Sequence, residues 1–282
     1  MIIRHSHTTN HEEEFPLDDP VSARRSAGIR LSGAPNFREI GGYEAADGRA
    51  MRAGNIFRSD SLARLTSQDV QMLDELGIGT LIDLRSPRER DAYPNRWPER
   101  EGVETLHLDI SNDLRAAESA LSRILSEDLT ARGARDVMRE TYRRMPRAFV
   151  GRLNHVFDRL LAAKPLLVHC TAGKDRTGFV AAMIMSALGI DRGAIYEEYM
   201  LTTKQCDIHR IAKGSAKAIA AAMGLAEIDF DFVLVMSDVA PDYLDLAYSA
   251  IDEEFGSIDS YLLEAGGLTP EKHARLKGLL LK

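Results

Sequence analysis

The stretch Pro165-Leu-Leu-Val-His-Cys-Thr-Ala-Gly-Lys-Asp-Arg-Thr-Gly178 decides how the rest of the chain is read. Pro165 to Val168 is a short apolar run without alternation, the pattern of a strand covered on both faces, and it ends at His169. Cys170 to Arg176 then reads as a tight loop, and a helix is expected to begin at about Thr177. Within that helix Val180, Met183, Ile184, Ala187 and Leu188 share a face, and the opposite face is also apolar. A helix apolar all round belongs in a core. Strand, tight loop and helix N-terminus are the arrangement that gathers backbone N–H groups around an anion.

Working upstream, Thr80-Leu-Ile-Asp-Leu84 and Val103 to Leu108 read as further strands. Asn36 to Arg58 carries Gly41-Gly42 and Asp47-Gly48, so it reads as short strands joined by a hairpin. Thr66 followed by Asp69 predicts a helix N-terminus, with Val70, Leu73 and Leu76 on one face and Gly77 as the stop. Ser86-Pro87 opens a short helix, and Leu114 to Ala163 reads as helical with breaks near Gly133 and Pro146. From Asp191 to Lys282 the pattern is helical with little strand. Alternating strands and helices followed by a helical tail predict an α/β fold, with a mostly parallel central sheet flanked by helices and a helical C-terminal extension from about residue 203. Residues 1–27 are polar and are expected to be a flexible leader to a single domain over 28–282.

The net charge of −7 over 282 residues gives no reason to expect a nucleic-acid partner, so any anion site must be a local arrangement. Cys170 and Cys206 do not make a disulfide framework. With no apolar run of membrane-spanning length and no apolar N-terminal segment, a cytoplasmic location is expected. His5, His7 and His11 read as a solvated tail rather than a metal site. Lys204, Arg210, Lys213 and Lys217 fall near one side of a helix that also carries Ile208, Ile211 and Ile219. That reads as a solvated face, with transient contact to an anionic membrane surface as the sharper alternative.

The loop residues suit attack on a phosphate ester. A phosphate monoester is a dianion at neutral pH, so an anionic nucleophile needs its repulsion offset. Loop N–H groups from Thr171, Ala172, Gly173 and Lys174 and the Arg176 fork can do this, and arginine matches two phosphate oxygens at once as lysine cannot. The helix N-terminus and Arg176 also favour the Cys170 thiolate. Thr177 stands where its hydroxyl could bond the sulfur. The leaving oxygen needs a proton, and three carboxyls stand at strand ends or in the loop: Asp175, Asp83 and Asp109. Arg58, Asp60, Asp83 and Arg85 read as a buried ion-pair network supporting the loop. Cys206 reads as packing, or as a redox partner to Cys170 if it lies within disulfide reach.

His169-Cys170 followed by Arg176-Thr177-Gly178 resembles the Cys-x5-Arg signature of the protein tyrosine phosphatase superfamily. Cys-Thr-Ala-Gly-Lys-Asp-Arg is similar, more narrowly, to atypical bacterial phosphatases acting on phosphotyrosine and phosphoinositides. Asn36-Phe-Arg-Glu-Ile-Gly-Gly42, Phe57-Arg-Ser-Asp60, Ile82-Asp-Leu-Arg85 and Ile195 to Thr202 fit the same family. The resemblance implies a phosphocysteine intermediate, no cofactor, no metal, and a phosphorylated protein or phosphoinositide as substrate, with phosphoserine and phosphothreonine in reach. It also implies that Asp175 takes the acid role and that Lys174 supplies an added cation. The usual Trp-Pro-Asp acid loop is not visible; Trp97-Pro98-Glu99 has glutamate instead. An inositol polyphosphate phosphatase and a non-catalytic phosphate-binding module are the alternatives.

Overall fold

The computed structural model describes residues 28–97, 101–110, 128–222 and 224–282. The expected leader, and the start of the helical stretch at Leu114, lie outside them. Arg38–Glu39 (β1), Ile56–Ser59 (β2), Thr80–Asp83 (β3), Glu104–His107 (β4) and Leu166–His169 (β5) form a five-stranded sheet in the order β1-β2-β5-β3-β4. β5 lies parallel between β2 and β3, β4 is parallel to β3, and β1 is antiparallel to β2. Ser59 and Asp83 both stand opposite His169 in register. The chain therefore leaves three neighbouring strands at the same sheet edge, where α/β folds build their sites.

Every residue of β5 is buried, as its unbroken apolar run requires. Leu166 and Val168 join the main core, with Tyr142, Phe149, Phe179 and Ile184. Leu167 joins a smaller core on the other face, with Phe37, Phe57, Leu81 and Trp97. The helices are Ser67–Glu75 (α1), Pro87–Ala92 (α2), Ala131–Phe149 (α3), Leu153–Leu161 (α4), Asp175–Leu188 (α5), Arg192–Gln205 (α6), Ile208–Ala222 (α7), Phe230–Ser237 (α8), Pro241–Phe255 (α9), Ile258–Glu264 (α10) and Pro270–Leu280 (α11). α5 fills the core, with Phe179 to Met185 all buried. α7 packs on α8, and α8 on α3, around the small cluster Ala134, Ala212, Phe232 and Val233.

Several expectations need correction. α5 starts at Asp175, not at Thr177, so Asp175 and Arg176 stand on its first turn rather than in the loop. Neither Gly133 nor Pro146 breaks α3. The buried stripe Met138, Tyr142, Met145 and Phe149 runs through Pro146, and that packing outweighs the lost backbone bond. The break comes at residues 150–152 instead. The Asp47-Gly48 turn joins the isolated pair Glu44 and Ala50, while β1 and β2 lie further out. Lys204 belongs to α6, so it does not share a helix with Arg210, Lys213 and Lys217 on α7. Strand pairing near the end of the chain was not foreseen: Leu281 bridges Met51, and Ala50 and Lys282 exchange backbone bonds at 2.9 Å.

Candidate active site

Cys170 sits at the end of β5, 3% exposed, at the base of the loop. The loop carbonyls are held from outside. His169 Nδ1 lies 3.3 Å from the Cys170 oxygen, which can only accept, so the ring proton is on Nδ1. The Ser61 amide donates to Thr171 O at 3.0 Å, and Asn36 Nδ2 donates to Ala172 O at 3.0 Å. Arg58 Nη2 donates to Gly173 O at 2.5 Å. A trans peptide points its N–H opposite to its C=O. Turning these carbonyls outward therefore turns the amides of Thr171, Ala172, Gly173 and Lys174 inward. The Gly173 amide indeed donates to Cys170 Sγ at 3.3 Å. No side chain caps α5, so its N-terminal amides also open onto the loop.

Gly173 is required twice over. Its φ is +66°, and a Cβ there would stand 2.5 Å from Ser59 O and 2.6 Å from Asp60 N. The loop is thus pressed against the exit of β2, where only glycine fits.

Arg176 is aimed by Glu89. Its Nη1 donates to Glu89 Oε2 at 3.0 Å and to Leu84 O at 3.1 Å, and Nη2 donates to Glu89 Oε1 at 2.8 Å. Glu89 also accepts from the Thr171 hydroxyl and, through Oε2, from the Ser86 amide at 2.8 Å. Burial opposes its charge, but Arg176 and Thr171 outweigh that and hold the carboxyl well below the usual range. Burial likewise opposes the Arg176 charge, and the Cys170 and Glu89 charges outweigh it and raise its pKa. Glu89 was not singled out in the sequence. Its signal was there, in the Ser86-to-Glu89 capping box that opens α2.

The expected single ion-pair network is two networks, because β5 separates β2 from β3. On one side Arg38 and Arg58 converge on Glu198 of α6, at 2.7 and 2.6 Å, all three buried. On the other, Asp83 pairs with Arg85 at 2.7 Å and stands 3.5 Å from His169 Nε2. Burial pushes His169 down to about 4, so it is neutral at pH 7. Asp60 belongs to neither pairing: it accepts from the Asn36 amide and the Ser59 hydroxyl.

The three candidate acids part company. Burial opposes the Asp83 charge, but the hydrogen bonds and charge of Arg85 outweigh it and keep the carboxyl below its usual value, a poor state for a proton donor. Asp109 follows β4, which β3 separates from β5. Asp175 alone stands beside the loop, accepting from Tyr142 Oη at 2.8 Å and from Lys174 Nζ at 2.9–3.0 Å. Lys174 also donates to Asp238 O at 3.1 Å. The Thr177 hydroxyl oxygen is buried with no hydrogen-bond partner. Cys206 is a free thiol capping α6, and burial pushes it up to about 11, which makes it a weak nucleophile at neutral pH.

The sequence model of the tyrosine phosphatase family matches residues 29–282. The chain belongs to that family. The phosphatase is 32% identical to the triple specificity protein phosphatase PtpB of Mycobacterium tuberculosis, over 89% of its own length and 98% of PtpB. It is 30% identical to a provisionally named tyrosine-protein phosphatase of Cupriavidus necator, over 82% of this chain and 81% of that one. The solved structure of P. aeruginosa TpbA aligns at 20% identity with a TM-score of 0.29, over 70% of this phosphatase and 96% of TpbA, a score too low to bear on the fold. The expected family and α/β architecture are thus in place, and the helical extension packs within the span that the family model covers.

Proposed function

We propose that the phosphatase hydrolyses phosphotyrosine, and with it phosphoserine, phosphothreonine and phosphoinositides, through a phosphocysteine. The inward-facing amides of Thr171 to Lys174 above Cys170 Sγ carry this reading. Those amides and Arg176 hold the phosphoryl oxygens while the Cys170 thiolate attacks phosphorus. The S–P bond forms as the P–O bond breaks, and the departing oxygen takes its proton from Asp175. Water then attacks the phosphocysteine and gives a proton to the Asp175 carboxylate. The otherwise unpartnered Thr177 hydroxyl is placed to donate to the sulfur as it leaves. Lys174 adds a cation beside the phosphate when Asp238 O releases it, which suits headgroups with several phosphates.

Cys170→Ser tests the mechanism: turnover of an aryl phosphate should fall to background, and retained turnover overturns it. Parallel kinetics on a phosphotyrosine peptide, a phosphoserine peptide, a phosphoinositide and a soluble inositol phosphate rank the substrates. Highest kcat/KM on the soluble inositol phosphate would move the assignment to an inositol polyphosphate phosphatase.

A further inference from the structure

Two buried tyrosines lie outside the mechanism above, and they meet at its acid. Tyr142 comes from α3 and Tyr199 from α6, and both are essentially without solvent contact. Their hydroxyls are 2.6 Å apart, and Tyr142 Oη continues to Asp175 Oδ1 at 2.8 Å. The rings cross edge-on with centroids 6.3 Å apart, and Tyr243 of α9 leans on Tyr142 at 5.5 Å. This packing fixes where the Tyr142 hydroxyl can go. Burial raises both phenols well above their usual value, so they act as neutral hydrogen-bonding groups, never as charges.

A hydroxyl has one proton to give. If Tyr142 gives its proton to the Asp175 carboxylate, the Tyr199 proton must fill the bond between the phenols. The chain then runs in one direction, Tyr199 to Tyr142 to Asp175. Oδ1 is occupied as an acceptor, which leaves Oδ2 as the oxygen able to carry a proton. In the structure Lys174 Nζ lies against both oxygens, Oδ1 at 3.0 Å and Oδ2 at 2.9 Å, while Oδ1 keeps Tyr142 as well. Were Lys174 to turn to a bound phosphate, Oδ2 would lose its cation and gain a neighbouring dianion. Both changes favour protonation. As the P–O bond breaks, its electron pair goes to the leaving oxygen, the Oδ2 proton follows, and Asp175 is left as carboxylate with Tyr142 still bound to Oδ1.

We propose that Tyr142, backed by Tyr199, is the positioning residue of the acid, holding Oδ1 of Asp175 so that Oδ2 delivers the proton. This rests on the reading of Asp175 as the acid, and the experiment separates the two. Tyr142→Phe keeps the ring and deletes only the hydroxyl. A general acid is worth roughly 10²–10⁴-fold, so its misplacement should cost about 10-fold in kcat on a phosphoserine peptide while nitrophenyl phosphate, whose leaving group needs little protonation, changes less than about 2-fold. KM should hold on both substrates. The Tyr142 hydroxyl donates to the carboxylate, so deleting it should move the alkaline limb of kcat to higher pH. Tyr199→Phe should move both readouts the same way, by less. Asp175→Asn is run alongside. If it lowers both substrates equally, the acid reading fails. If it shows the leaving-group dependence and Tyr142→Phe does not, or Tyr142→Phe slows both substrates alike with no shift of the limb, the positioning proposal fails.

Discussion

Asp60 lies behind the loop, and burial pushes its pKa up to about 7. In the unfolded chain it titrates near ~3.9. Between these values the folded state holds a proton that the unfolded state has lost, so stability falls as pH rises from about 4 through 7. Above that range the fold carries a poorly solvated charge. Asp60→Asn removes it. The variant should be more stable than the parent at pH 8 by about 2 kcal/mol, roughly half the full shift because the side chain keeps some solvent, and equal to it at pH 4. Urea unfolding at the two pH values checks this, and a difference independent of pH would refute it. The sequence grouped Asp60 with Arg58, Asp83 and Arg85 because they sit near strand ends. It could not show that β5 separates the strands, or that the partner of Arg58 is Glu198, 140 residues away. By contrast Cys170, Gly173 and Arg176 were legible, because their spacing over one loop and the first helical turn after it brings them together.

At the scale of elements, α2 shows how a helix cap becomes part of a phosphate site. Glu89 closes the capping box with Ser86 and, with the same carboxylate, holds Arg176. Glutamine can keep the cap but not the charge, and alanine keeps neither. Glu89→Gln should lower kcat/KM by about 10–100-fold through loss of Arg176 alignment, with little change in stability. Glu89→Ala should show the same kinetic loss and in addition lose about 1 kcal/mol of stability. Kinetics and thermal unfolding of the pair separate the two jobs; full activity in Glu89→Gln would show that Arg176 needs no carboxylate. α7 and α8 make a second case. Their fully buried contact is centred on the small cluster of Ala134, Ala212, Phe232 and Val233, and Met236 of α8 alone among their described residues also packs against the main core. The residue after α8 ties it to the loop through the Asp238 carbonyl on Lys174, and to α6 through the Asp238 carboxylate, which accepts from Thr203. So little buried apolar contact predicts low local stability. Amides of α7 and α8 should exchange at least about 100-fold faster than those of α5, and a bound phosphate analogue that draws Lys174 from Asp238 should speed them further. Uniformly slow exchange in both conditions would exclude a movable cover over the site.

Across the whole molecule, the centre of the parallel sheet was legible because buried strands advertise themselves as short, mostly apolar runs, as β3 and β5 do; β4, Glu-Thr-Leu-His at the sheet edge, is exposed or half-buried and carries a weaker signal. Helix limits were less so. Gly133 and Pro146 are local breakers, but the stripe of α3 is buried against the core and overrides them. Least legible was the pairing of the 50–52 segment with residues 280–282, joined by Ala50 to Lys282 in both directions and by Arg52 N to Leu280 O at 2.7 Å. That pairing closes a loop of more than two hundred residues, which places a distant contact at the foot of the β1–β2 region. A chain made from its N-terminus at about 5–20 residues per second must therefore wait more than ten seconds after β2 emerges for the partner of Ala50 to leave the ribosome. Until then the β1–β2 segment stays open on that side, and its completion is a late step of assembly.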